Sequence, residues 1–331
     1  MEFLSYINTY GFVALGCLLV LFNLPVLVVV SASKNLRNQY GVLIISLFNG
    51  FLSGLVSTAY GIFRLVLYMT GKDNDFITIR ECFYNPLTFF NLWTLPMCGL
   101  GLLLLSVDRL LVISFPLTYF NYNTKVVLVS NVLALVINAC IVFVASYVTI
   151  NNGSSETLIS TICNQKEVFS MEIYIILIGS MTLFAVLADL LMFVVLILFM
   201  KQHRAGNKKA FLTDDAIKRF ERRQMNYTKT MLISSIATIV VFIIPSIFAI
   251  VARTLDMPRQ IATWTRFINF FNSFNIAILL IYRQRDIRRQ ICKMANCLTG
   301  RSFFNVVLVD NVRDHTKSDT SRQRTTEARR R

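Results

Sequence analysis

Apolar residues run almost unbroken through seven stretches of the chain, at about 9–31, 40–63, 86–112, 126–147, 171–200, 230–252 and 262–282, with short polar segments between them. Each stretch is near or above the ~20 residues a helix needs to cross the hydrocarbon of a bilayer. In lipid, only helices and closed barrels satisfy every backbone N–H and C=O. The period-2 alternation of barrel strands is absent, so the pattern predicts seven membrane-spanning helices. The expected fold is an all-α membrane protein, a seven-transmembrane helix bundle over residues 9–282 preceded by a short outer segment, residues 1–8.

A different period follows the seventh stretch. In RQRDIRRQICKMANCLTG, Ile287, Ile291, Met294 and Leu298 recur at i, i+4, i+7 and i+11 with Arg and Lys opposite. Residues 283–299 are therefore expected to form a short amphipathic cytoplasmic helix lying on the anionic inner leaflet, which makes membrane lipid a partner. Residues 300–331 are polar, basic and aperiodic, the pattern of a disordered tail.

Composition sharpens the membrane reading. A chain of 331 residues that is 55% hydrophobic and 15% charged, with mean hydropathy +0.58, has too few polar side chains to coat a soluble globule of that size. Charge orients it. Of 33 Lys and Arg, 26 fall in the first inter-span segment, from Arg109 to Lys125, from Lys201 to Lys229 and after Tyr282, so the positive-inside rule puts the amino terminus outside and the carboxyl terminus in the cytoplasm. The net charge of +15 then reflects topology, and a nucleic-acid partner is not needed to explain it. The first stretch lacks a basic leader and exceeds a signal-peptide core, so it reads as an anchor that stays.

Topology also sorts the seven cysteines. Cys17, Cys98 and Cys140 lie within spans, where a thiol fills space as a small apolar group. Cys292 and Cys297 are cytoplasmic, either palmitoylated or free thiols. Cys82, before the third span, and Cys163, in the segment after the fourth, share the oxidising side. They read as a disulfide holding that loop over the third span, or as two unpaired thiols. The sequon Asn152-Gly153-Ser154 in the same loop is a candidate glycosylation site. Both histidines, His203 and His315, are cytoplasmic, and no HExxH, P-loop or GxSxG pattern occurs. An enzyme is not expected, nor is a metal or cofactor.

Charged residues inside the spans bear on function at two places. Asp189, in FAVLADLLMF, is far from both ends of its helix. An ionised Asp at mid-bilayer costs ~2.5–3.5 kcal/mol on insertion scales, so it must face the bundle or carry a proton. It reads equally as an intramembrane switch and as a hydrogen-bonding partner of an Asn on a neighbouring helix. Asp108-Arg109 closes the third stretch at its cytoplasmic end and, taken alone, reads as an ion pair anchoring the helix at the headgroups.

The residues around that pair carry a resemblance. Seven spans, an outer amino terminus, the Cys82 and Cys163 placement, and Asp108-Arg109 followed by Pro116-Leu117 and Tyr119 resemble the rhodopsin-like G-protein-coupled receptors. Asn23-Leu24-Pro25-Val26 is similar to the family's first-helix motif, and Pro245 resembles its sixth-helix kink. Leu110 replaces the motif tyrosine, Ile243 the usual tryptophan, and Asn49 stands near the place of the sodium-binding aspartate. The seventh helix has Asn275 and Tyr282 without the intervening proline pattern. Within the family, KNLRNQYGVLIISLFNG and LIYRQRDIRRQI look like the nematode serpentine chemoreceptors near the Srx and Srsx groupings.

The resemblance implies a plasma-membrane receptor that converts binding of an extracellular small molecule or short peptide into heterotrimeric G-protein activation, with arrestin and a receptor kinase as further partners. Asp108, Arg109, Pro116 and Tyr119 would face the G protein, and Pro245, Asn275 and Tyr282 would act as hinges. Ligand would contact the outer halves of the helices at Asn91, Leu95, Tyr174, Trp264, Ile268 and Phe271, each of which also reads as ordinary helix packing. Asn91 stands where amine receptors carry an Asp, which disfavours an amine. Glu221 is a weak candidate partner of Arg109, and Ser318, Thr320 and Ser321 are candidate kinase targets. The alternative class is a seven-helix transporter or ligand-gated channel, against which the absence of an internal repeat counts.

Overall fold

The computed structural model describes residues 2–72, 75–152, 158–163, 165–205, 225, 228–230, 232–255 and 259–299. Its long helices are α1 (Glu2–Ala32), α3 (Leu43–Met69), α5 (Pro86–Ser114), α6 (Pro116–Asn152) and α8 (Met171–Ala205). The sixth span, α9, has its membrane stretch at Thr228–Ala252, and the seventh is α10 (Arg259–Arg283). Short helices α2 (Lys34–Tyr40), α4 (Ile79–Tyr84) and α7 (Gln165–Val168) sit in the connections, and α11 (Arg285–Thr299) follows the seventh span. Among the described residues six helices are long and apolar enough to cross a membrane, and a shorter apolar stretch, Phe270–Tyr282, completes the seven. The chain is a multi-pass membrane bundle.

The ends of the spans differ from the sequence expectation in one place above all. The fourth span was expected at 126–147, but α6 starts at Pro116 and runs unbroken for 37 residues to Asn152. Proline fits the first helical turn, where its missing N–H has no intrahelical partner to lose. The polar TYFNYNTK segment therefore continues the helix instead of looping. Helix α1 likewise reaches back to Glu2.

Between spans whose faces are all apolar, association depends on close fit rather than on exclusion of water. Small residues supply it. A Cβ at Gly54 of α3 would sit 2.9 Å from the carbonyl oxygen of Gly16 on α1, and a Cβ at Gly99 of α5 would land on the carbonyl oxygen of Met181 on α8. Helix α5 is the central element: 61% of its most apolar window is buried, against 17% for α6, which lies at the rim.

The sixth span departs from regular α-helix for an identifiable reason. Pro245 has no N–H and its ring would collide with the carbonyl one turn back. The chain answers with a π turn at Ile239–Ile243, in which the N–H of Ile244 donates to the carbonyl of Ile239. Between the connections before α4 and after α6, a two-stranded antiparallel sheet that the hydropathy pattern gives no hint of pairs β1 (Phe76–Thr78) with β2 (Leu158–Ser160), Ile77 facing Ile159. Helix α11 turns its Ile287, fully buried, against the bundle with Ile291 and Met294 beside it.

Candidate functional site

At the carboxyl-terminal end of α5, Asp108 and Arg109 are 3% and 1% exposed, so this is a buried pair rather than a headgroup anchor. The Arg109 guanidinium donates to Asp108 Oδ2. Tyr119, three residues into α6 from Pro116, donates its hydroxyl to Asp108 Oδ1 at 2.6 Å and is itself buried. The turn at Phe115 is what brings them together, since α5 ends there and α6 restarts at once. Burying an ion pair has a desolvation cost that its own Coulomb attraction offsets only with further hydrogen bonds. The Tyr119 hydroxyl supplies one.

A second cluster sits at the same end of the bundle. Tyr40 of α2 receives a hydrogen bond from Gln39 Nε2 at 2.9 Å and donates to Gln284 Oε1 at 3.1 Å. Gln284, between α10 and α11, passes the chain on through its Nε2 to Thr230 Oγ1 on α9 at 3.1 Å. The base of the sixth span is thereby tied to the end of the seventh. These glutamines and Thr230 were not singled out in the sequence, because polar residues at the ends of spans look like ordinary interfacial positions.

Further in, the sixth and seventh spans share a polar seam. Asn275 Nδ2 donates to the carbonyl and to Oγ of Ser234, both at 3.0 Å, and Thr238 Oγ1 donates to Asn272 Oδ1 at 3.1 Å. Asp189 of α8 joins it, accepting from the Ser235 hydroxyl. The sequence left Asp189 as a switch or as the partner of an Asn; its hydrogen-bond partner is a serine on α9. Asn49 donates to the Thr94 carbonyl at 3.2 Å and contacts Cys98 Sγ at 3.3 Å.

At the opposite end of the bundle Cys82, in α4, and Cys163 form a disulfide, with Cα atoms 5.6 Å apart, that ties the loop before α8 to the segment leading into α5. Tyr60 of α3 reinforces it, donating to the carbonyls of Ile162, at 2.8 Å, and Cys163. Arg64, one turn further along α3 and 6% exposed, places its guanidinium 4.6 Å from the Tyr60 ring centre and 5.2 Å from that of Phe12. Such cation–π contacts strengthen when desolvated. Arg64 was missed as a site residue because it looked like the charged flank of the second span.

The proposed ligand positions divide. Leu95 packs against the outer hydrophobic cluster and Tyr174 is buried within it; Asn91 is half-buried on α5, its carbonyl accepting from Thr94. Trp264 lies in α10, with its side chain outside the described residues. Ile268 and Phe271, 39% and 49% exposed, share a face with Ile278 and Tyr282, opposite the buried Ala277 and Leu280. They therefore point away from the core, which corrects their assignment to the pocket. The same holds for Tyr282, which is 75% exposed while Asn275 faces inward, so the two do not act as one hinge.

Cys292 and Cys297 are free thiols on α11, the second exposed. Asn152 ends α6, and Gly153, Ser154, Glu221 and the tail with Ser318, Thr320 and Ser321 lie outside the described residues. Among the described residues no group of three or more His, Cys, Asp or Glu is placed to hold a metal ion.

Compared with known protein families, residues 17–291 match the model described as serpentine type 7TM GPCR chemoreceptor Srsx. No curated protein matches the chain.

Proposed function

This chain belongs to the Srsx family of serpentine seven-transmembrane chemoreceptors, and from that premise we propose that it activates a heterotrimeric G protein when an extracellular small molecule or short peptide binds. The observation that carries the reading is the buried Asp108–Arg109–Tyr119 cluster at the inner end of the central helix. In this arrangement Arg109 is held by Asp108 and is buried away from solvent. A ligand that favours a second arrangement, in which the base of α9 moves out and Gln284 releases Thr230, shifts the equilibrium toward a form with Arg109 open to the cytoplasm. A guanidinium there meets the exposed carbonyls at the carboxyl end of a helix, whose dipole favours a cation.

In this reading the receptor sits in the plasma membrane with its amino terminus outside, glycosylated at Asn152. Ligand enters beneath the loop fixed by Cys82–Cys163, near Asn91, Leu95 and Tyr174, while Pro245 and Asn275 accommodate the movement of α9 against α10. Pro116 sets the α5–α6 turn that presents Tyr119. Cys292 and Cys297 are palmitoylation candidates on the lipid-facing helix, and the tail serves a receptor kinase and arrestin.

The test is a ligand screen in cells carrying a promiscuous G-protein reporter, repeated with Arg109→Ala at matched surface density. Loss of reporter output with retained surface expression is the expected result. An agonist-evoked membrane current that survives the substitution without reporter output overturns the reading in favour of a channel.

A further inference from the structure

Where α1 ends, an open groove of about 390 Å³ separates it from α11. That volume lies within the ~300–1,000 Å³ of small-molecule sites. Along α1 the lining runs from Val28 and Val29 to Ala32 and then Ser33, so it passes from apolar to polar just where the membrane stretch Thr9–Ala32 stops. Helix α11 closes the other side with Gln290, Lys293 and Met294. Met294 packs in the same apolar cluster as Val29, whereas Gln290 and Lys293 are exposed. Ser33 stands at the N-cap of α2, yet its side chain makes no capping hydrogen bond to that helix.

Charge around the groove is almost all of one sign. Helix α11 carries Arg285, Arg288, Arg289 and Lys293 against Asp286 alone. Lys34 and Arg37 lie in α2, which begins directly after Ser33, and no acid occurs in α1 beyond Glu2 or in α2. A Lys at the end of a span lays its methylene stem along hydrocarbon and keeps its ammonium among the headgroups. An apolar floor under a basic and hydrogen-bonding mouth, at the level where hydrocarbon meets water, is complementary to a molecule with an acyl chain and a negative head.

We propose that the groove between α1 and α11 binds one phospholipid with an anionic headgroup. The Lys293 ammonium pairs with the phosphate, the Gln290 amide and the Ser33 hydroxyl donate to its oxygens, and an acyl chain lies on Val28, Val29, Ala32 and Met294. A zwitterionic lipid has the same phosphate, but its own cation meets a basic surround, so the acidic lipid is preferred. The expected cytoplasmic placement of α11 sets the groove in the leaflet where acidic lipids concentrate. The bound lipid fastens α11 to the end of the first span.

The test uses the purified full-length receptor in nanodiscs, without ligand or G protein, so its outcome does not depend on the signalling role. Phosphatidylglycerol is raised from zero in phosphatidylcholine discs at constant ionic strength, and thermal unfolding is followed. The expected result is a saturable rise in Tm of a few degrees, as for a ligand that binds the folded state. Native mass spectrometry of the receptor released into mild detergent should show one retained phosphatidylglycerol. Lys293→Gln should raise the mole fraction for half-effect by about fivefold or more, the weight of one Lys at an anionic surface. Ala32→Phe fills the groove from an exposed position without changing charge, and should abolish both the rise and the retained lipid. Should that variant fold poorly, Val28→Trp, at another exposed position of the lining, makes the same test. Arg288→Gln removes an equal charge from α11 outside the groove and should leave the half-effect nearly unchanged. No rise in Tm, a rise that survives filling of the groove, or equal shifts in Lys293→Gln and Arg288→Gln, as for general attraction of α11 to an anionic surface, overturns the proposal.

Discussion

Tyr119→Phe removes one oxygen from the inner cluster and keeps the ring that packs there. The deleted hydroxyl donates to Asp108 Oδ1 at 2.6 Å, and both residues are almost fully buried, at 4% and 3% exposed, so no solvent replaces it. A hydrogen bond to a charged group contributes about 1.5–3 kcal/mol. The closed arrangement, in which Asp108 holds Arg109, loses that support, while an open arrangement with Arg109 turned to the cytoplasm never had it. The resting-to-active ratio should therefore fall by about 10- to 150-fold. A receptor with about 1% of its molecules active without ligand would then have about 10–60% active. The assay is ligand-independent reporter output, normalised to a surface tag, with Arg109→Ala in the same background as the silent control. Basal output unchanged at equal surface density, or lowered, would show that the tyrosine does not restrain the pair.

Other substitutions probe the rest of the architecture. Gly99→Ala places a methyl group on the Met181 carbonyl; it should destabilise the purified receptor by about 1–3 kcal/mol, and an unaltered Tm would mean that α5 and α8 are not in close contact. Cys82→Ser and Cys163→Ser should each lower stability by about 2–5 kcal/mol, with the double variant no worse than either; additive losses in thermal unfolding would contradict the pairing. Thr230→Val breaks the hydrogen bond from Gln284 and should raise basal reporter output by roughly 2- to 10-fold, the equivalent of about 0.5–1.5 kcal/mol; a fall would indicate that this bond belongs to the active arrangement.

Spans and disulfide were legible because each depends on a one-dimensional property: run length for the spans, and placement in segments on one side of the membrane for the disulfide. Rotation of each helix about its axis was not. In water, a helix advertises its buried face by contrast with a polar one. In lipid, Ile268, Phe271 and Tyr282 are as apolar or amphipathic as the buried Phe274 and Leu280 on the same helix, so the sequence has no mark to separate the lipid face from the core face. The polar residues escape this limit. Asn275, Asp189 and Asn49 all turn inward, as the cost of a polar group in hydrocarbon requires. Their particular partners depend on the helix phases, and for that reason the Asp189–Ser235 bond and the Gln284–Thr230 bond emerged only in three dimensions. The outer strand pair is invisible for another reason: three-residue strands are too short for a periodic pattern to develop.

The Cys82–Cys163 bond closes a covalent ring holding all of α5, the turn at Phe115 and all of α6. One peptide cut inside that ring, for instance by a site-specific protease whose recognition sequence is grafted at the exposed Phe115, opens a loop without producing two molecules. On a denaturing gel the nicked receptor should still migrate as a single species until reductant is added. A nick in any connection outside the ring should yield two bands at once.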